Sequence, residues 1–123
     1  MSPRSRDNAS AEAVRLGAVY QMKAEFFRIL GHPVRVRILD LLRDGERTVG
    51  DLQQELQMYS SGTSQHLGAL RKHGILEGRR VGTSVYYNVR DPRIFQLLEV
   101  ARQILTSSLI ESQAVLDQLK TPS

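Results

Sequence analysis

The chain contains no cysteine. It can therefore form no disulfide, no thiolate metal site and no thiol redox switch. Long apolar runs are also missing. The uninterrupted hydrophobic stretches are a few residues long, far short of the ~20 that a membrane-spanning helix needs. Met1 to Ser10 is polar, includes Arg4 and Arg6, and lacks the apolar stretch of a secretory signal. These absences set the expectation of a cytoplasmic protein with no membrane partner. Catalytic signatures are absent too: no glycine-rich phosphate loop followed by lysine, no serine in a glycine-flanked nucleophile elbow, no thiol nucleophile. The carboxylates are mostly scattered singly, so the chain reads as a non-enzyme, and no cofactor is expected.

Acidic residues are scarce in one stretch. Between Ser60 and Arg90 the cations Arg71, Lys72, Arg79, Arg80 and Arg90 meet a single acid, Glu77, so this quarter of the chain holds the whole formal net charge of +4. A localised basic patch is the electrostatic footprint of a polyanionic partner. The chain's 123 residues, 41% of them hydrophobic, suffice for one domain with a modest core. A chain this short buries a smaller share of its surface than a larger one does, which makes a partner chain useful.

The hydrophobic period organises what is present. Residues 1–10 read as a disordered polar tail, residues 11–119 as one folded domain, and residues 120–123 as a frayed C-terminus. From Ala11, the residues Val14, Ala18, Met22, Phe26, Ile29 and Leu30 recur at helical steps. Gly31-His32-Pro33 interrupts them. Pro33 suits the first turn of a second helix, with Val34, Ile38, Leu41 and Leu42 on its buried face and Asp44-Gly45 at its end. Thr48, with Asp51 three residues on, caps a short third helix carrying Val49, Leu52 and Leu56. Ser60 or Ser61 is expected to cap a fourth helix that runs to about Lys72. The period then changes to strand-like runs, Ile75–Val81 and Ser84–Val89, around a Gly82-Thr83 turn. Tyr86 and Tyr87 must point to opposite faces, one packed and one free. Asp91-Pro92 opens a long final helix to about Leu119. The order predicts a mostly helical α+β fold: a helix-turn-helix followed by a basic two-stranded β-wing.

The fourth helix carries the chemistry. Thr63, Leu67 and Leu70 share its core face, while Ser61, Ser64, Gln65 and Gly68 lie roughly opposite. That outer face is small and hydrogen-bonding, with no large charge before Arg71 and Lys72. A helix that enters a DNA major groove needs short polar side chains, because bulk would hold it off the base edges. Serine can donate or accept toward several bases, and glutamine can pair bidentately with adenine. Arg71 and Lys72 would reach the phosphates. On the final helix, Ile94, Leu98, Ala101, Leu105 and Leu109 belong to apolar stripes too wide for one packing face, which suits packing on a twin chain as well.

Three segments together carry a resemblance. Leu30-Gly31-His32-Pro33-Val34-Arg35-Val36-Arg37-Ile38-Leu39-Asp40-Leu41-Leu42 resembles the opening signature of the ArsR/SmtB winged-helix repressors. Ser61 to Leu70 is similar to that family's recognition helix, and Glu77 to Tyr87 to its wing. The likeness spans roughly Ala24 to Ile110. It implies a homodimer, joined through the terminal helices, that represses a promoter by binding a palindromic operator in double-stranded DNA until an effector releases it. It also implies DNA-contacting roles for Ser60, Ser61, Ser64 and Gln65 on the helix, and for Arg79 and Arg80 on the wing. The family's usual metal ligands are missing. Its thiol sensors place two cysteines where this chain reads Thr48 and Gly50, and no histidine occurs between Asp91 and Ser123. No metal residue is therefore assigned, and no tight arsenite, cadmium or zinc response is expected at those sites. The effector stays open between a small organic ligand, a partner protein and none. Two alternatives stand beside the DNA-binding repressor: a winged-helix protein-interaction module, and a metal-gated repressor with an atypical site drawn from His32, His66 or His73.

Overall fold

The computed structural model describes residues 3–57 and 62–120, with side chains from residue 8 onward. In chain order the elements are α1 (Pro3–Leu30), α2 (Pro33–Leu41), a 3-10 turn (Leu42–Asp44), β1 (Arg47–Thr48), α3 (Val49–Glu55), α4 (Thr63–Lys72), β2 (Leu76–Val81), β3 (Ser84–Val89) and α5 (Arg93–Lys120). The expected sequence of elements is found, mostly helical with a small antiparallel sheet. α1 starts at Pro3 rather than Ala11, so most of the stretch read as a tail is helical. Of the expected frayed end, residues 121–123 lie outside the described residues.

Local chemistry explains the boundaries. His32 caps α2, its Nδ1 accepting the Val34 N–H at 3.1 Å, with Pro33 in the first turn. Gly45, at φ 139, closes the 3-10 turn after α2. The capping box on α3 is complete: the Asp51 N–H donates to Thr48 Oγ1 at 3.1 Å, and the Thr48 N–H donates to Asp51 Oδ2 at 3.4 Å. Removing such a cap costs ~1 kcal/mol, so Thr48→Ala should lower unfolding stability by about that much in a urea titration. α4 departs from expectation, since its cap is Gly62 in the left-handed region (φ 75) with no side-chain cap bond. Ser60 and Ser61 lie outside the described residues.

The sheet has the order β1-β3-β2, all antiparallel. The hairpin register places Arg79 opposite Tyr86 and Arg80 opposite Val85, around a turn with Gly82 at φ 61. β1 adds a third strand, pairing Arg47 with Tyr87 and Thr48 with Tyr86. A two-residue strand has no period to read, which is why the sequence offers only a two-stranded wing.

The core gathers Ile29, Leu30, Val34, Ile38, Leu39, Leu52, Leu56, Leu67, Leu70, Leu76, Val89 and Ile94 among its members. Each such burial is worth roughly 1.5–3 kcal/mol. Tyr87 packs against this core, while the Tyr86 ring lies under Arg79, 5.4 Å from guanidinium carbon to ring centroid. The terminal helices give the core little. Among the described side chains of α1, only Ile29 and Leu30 are buried, and Val14, Met22, Phe26 and Phe27 are exposed. On α5, Ile94 is 7% exposed and belongs to the chain's own core, so this residue, assigned to the dimer face from its stripe, packs inside the protomer. It falls in the first turn of α5, where the helix crosses the core. Leu98 is half-buried against the same core, whereas Ala101, Leu105 and Leu109 are exposed.

Candidate nucleic-acid interface

α3 and α4 form the helix-turn-helix, and α4 is seated by one face. Thr63, Leu67 and Leu70 are all buried, as the helical spacing requires. Ser64, Gln65 and Gly68 are exposed on the other side, and Arg71 and Lys72 are exposed in the last turn. The outer face therefore presents a hydroxyl, a carboxamide and bare backbone. At Gly68, an added Cβ would meet nothing within 4 Å. Glycine inside a helix is unfavourable by ~1 kcal/mol relative to alanine, and here no packing inside the protomer demands it. Its effect is to keep the outer face low.

The hairpin stands beside α4 and joins its charge to that of the helix. Gly78 makes the junction close: a Cβ there would come 3.1 Å from Val85 Cγ1 and 3.7 Å from an Arg71 guanidinium nitrogen. Arg71 thus lies at the β2 surface, between helix and wing. Of the two wing arginines, Arg80 is exposed and Arg79 is engaged. Arg79 makes a two-pronged ion pair with Glu46, through Nε at 3.3 Å and through Nη2. That hydrogen bond, followed by the charge of Glu46, raises the Arg79 pKa. Sequence reasoning treated the two arginines alike because the partner sits 33 residues away.

The three histidines also find distinct places. His32 and His66 lie ring against ring, with centroids 4.2 Å apart and planes tilted by 41°. Arg35 bridges this pair to α1, donating Nε–H to His66 Nδ1 and an Nη1 hydrogen to the Ile29 carbonyl, each at 3.1 Å. His66 has its pKa lowered, first by burial, then by the charges of His32 and Arg35. His73 lies elsewhere, its Nδ1 2.9 Å from the Ala69 carbonyl oxygen and its Nε2 3.6 Å from Glu25 Oε1. Among the described residues, no three His, Cys, Asp or Glu side chains cluster as a metal site, and no helix is long and apolar enough to cross a membrane.

Residues 32–77 match the family model described as bacterial regulatory protein, arsR family. The chain is 44% identical to the HTH-type transcriptional regulator Rv0081 of Mycobacterium tuberculosis, over 83% of this chain and 90% of the relative. It is 34% identical to the biofilm growth-associated repressor of Xylella fastidiosa, over 74% of this chain and 78% of that one. The crystal structure of Rv0081 superposes with a TM-score of 0.69 at 42% identity, covering 77% of this chain and 97% of the other. A homodimeric winged helix-turn-helix DNA-binding domain, Mb0332 of Mycobacterium bovis, gives 0.68 at 30% identity, covering 77% of this chain and 88% of that one.

Proposed function

The chain belongs to the arsR family of bacterial regulatory proteins, and from that premise we propose that it works as a homodimer whose two α4 helices read a palindromic operator. It is a transcriptional repressor with a winged-helix DNA-binding fold, not an enzyme. The observation that carries the proposal is the division of α4 into a buried face of Thr63, Leu67 and Leu70 and an open face of Ser64, Gln65 and Gly68. The open face approaches base edges in the major groove. Arg71 and Lys72 follow it along the phosphates, and Arg80 reaches the backbone or a narrow minor groove from the wing. Ser60 and Ser61, the other two contacts that the resemblance implies, lie outside the described residues.

Dimerisation accounts for the terminal helices. Exposed apolar residues run along α1 at Val14, Met22 and Phe26 and along α5 at Leu105, Leu109 and Leu116, surfaces that a second copy would cover. Two-fold symmetry then sets the two α4 helices about one DNA turn apart, roughly 34 Å. The folded unit is the domain spanning residues 11–119 together with its helical N-terminal extension.

Gly68 supplies a test specific to a helix lying in a groove. Gly68→Ala should raise stability by ~1 kcal/mol through helix propensity, seen as a higher melting temperature. The same methyl should weaken binding to a duplex selected by the protein from a random pool, read by fluorescence anisotropy. A stabilised variant with undiminished DNA affinity would place the outer face of α4 away from the bases.

A further inference from the structure

Arg35, His32 and His66 form a cluster that the assignment of DNA contacts leaves unused, and it meets the DNA-reading helix at its N-terminal half. We propose that Arg35 and His32 are positioning residues for α4, acting through the neutral imidazole of His66, so that sequence-specific DNA binding fails when His66 takes up a proton. The proposal rests on the assignment of α4 as the helix that reads DNA.

Geometry dictates the protonation state. The guanidinium of Arg35 has only donors, so His66 Nδ1 must be a bare acceptor and the ring proton must sit on Nε2. His32 Nδ1 is likewise an acceptor, from the Val34 N–H. The cluster ties three elements together. Arg35 satisfies the Ile29 carbonyl in the last turn of α1, one of the carbonyls a helix end leaves without a partner. It holds α4 through His66, and His32 is at once the cap of α2 and the ring lying against the His66 imidazole. The link therefore runs from the end of α1 to the helix facing DNA.

A proton on His66 Nδ1 would convert the acceptor into a donor facing a donor. It would also place a cation against Arg35 and beside His32. Nothing nearby offsets that charge: among the described residues, no carboxylate bonds to His66. Of the other elements packed on α4, α1 turns Glu25 toward His73, and α3 turns Asp51 to its own cap. His73, beyond the C-terminal end of the same helix, faces the Glu25 carboxylate at 3.6 Å and lies apart from this cluster. Since the folded protein holds His66 below its ordinary value of 6.5, the contacts are at full strength above that value. They are lost as pH falls through the lowered value.

The test measures affinity of the full-length dimer for its selected duplex and for a scrambled duplex of equal length, from about pH 8 to about pH 5.5 at constant ionic strength. The ratio of the two affinities should fall by about tenfold or more on acidification, the equivalent of one lost charge-assisted contact. His66→Asn keeps an acceptor near the Nδ1 position and cannot titrate, so its ratio should stay near the wild-type alkaline value at every pH. His32→Asn preserves the α2 cap but removes the neighbouring ring, and should move the fall to higher pH. Nitrogen-15 NMR of the free protein should show His66 Nδ1 unprotonated at neutral pH, with a titration midpoint matching the loss of specificity. A wild-type pH profile retained in His66→Asn overturns the proposal. So does a protonated Nδ1 at neutral pH, a result that stands even if the variant does not fold. A flat wild-type ratio overturns the coupling alone, whereas no sequence preference at any pH overturns the DNA-reading assignment beneath it.

Discussion

Leu105→Glu should turn a DNA-binding dimer into a monomer that scarcely binds its operator. Leu105 is 64% exposed in the single chain, so the substitution disturbs the protomer's own core little. In the proposed dimer the same position is covered by the partner. An unpaired carboxylate forced into such an interface costs on the order of 3 kcal/mol or more, and two-fold symmetry applies the change in both protomers. A rise of at least about a thousandfold in the dimer dissociation constant follows, readable by sedimentation at micromolar protein. A monomer engages one half-site, so operator affinity should collapse with the dimer. Gln103→Glu adds the same charge to an exposed polar position on the same helix and should leave both measurements unchanged. Leu98→Glu is a poorer probe, because Leu98 is half-buried against the protomer's own core and its loss would confuse folding with assembly. If Leu105→Glu stays dimeric and binds as before, the apolar face of α5 is not the joining surface.

Gln65→Ala and Arg80→Ala should fail in different ways. Gln65 is exposed in the first turn of α4, placed to read a base edge. Losing a bidentate base contact costs ~1–3 kcal/mol of discrimination. Gln65→Ala should therefore relax the preference at one or two operator positions while leaving affinity for scrambled duplex nearly intact. Arg80 is exposed on β2, and its contact is to phosphate. Arg80→Ala should weaken binding to all sequences alike and flatten the dependence of log K on log salt by about one unit. Arg79 differs from Arg80 because its guanidinium is already paired with Glu46. Trading a carboxylate for a phosphate changes the charge balance less, so Arg79→Ala should flatten the slope by less than Arg80→Ala. Indistinguishable behaviour of Gln65→Ala and Arg80→Ala, in specificity and in salt slope, would remove α4 from the groove.

The scaffold and the open face of the reading helix were legible in the residues, while the contacts that hold helix and wing in place were not. Thr48 with Asp51, Pro33 after His32, and Gly82 in the wing turn each act within one turn of chain, so their spacing announces the structure they make. Thr63, Leu67 and Leu70 point the same way for the same reason: helical geometry alone sorts the two faces of α4, and Ser64 and Gln65 fall on the open one. Other features depend on how separate elements pack. The pairing of β1 with β3, the Arg79–Glu46 bridge and the Arg35–His66 bond join positions 31 or more residues apart. Periodicity says that Ile94 and Leu105 share apolar stripes, but only the crossing of α5 over the core decides that Ile94 is inside and Leu105 outside. Likewise, alternation requires Tyr86 and Tyr87 to diverge without saying which one meets the core. Sequence by itself determined the order of the helices and of the two wing strands and the polarity of each face, because those follow from near neighbours. Tertiary structure decided which apolar faces stay open and which charges are already paired, because those follow from where distant elements come to rest.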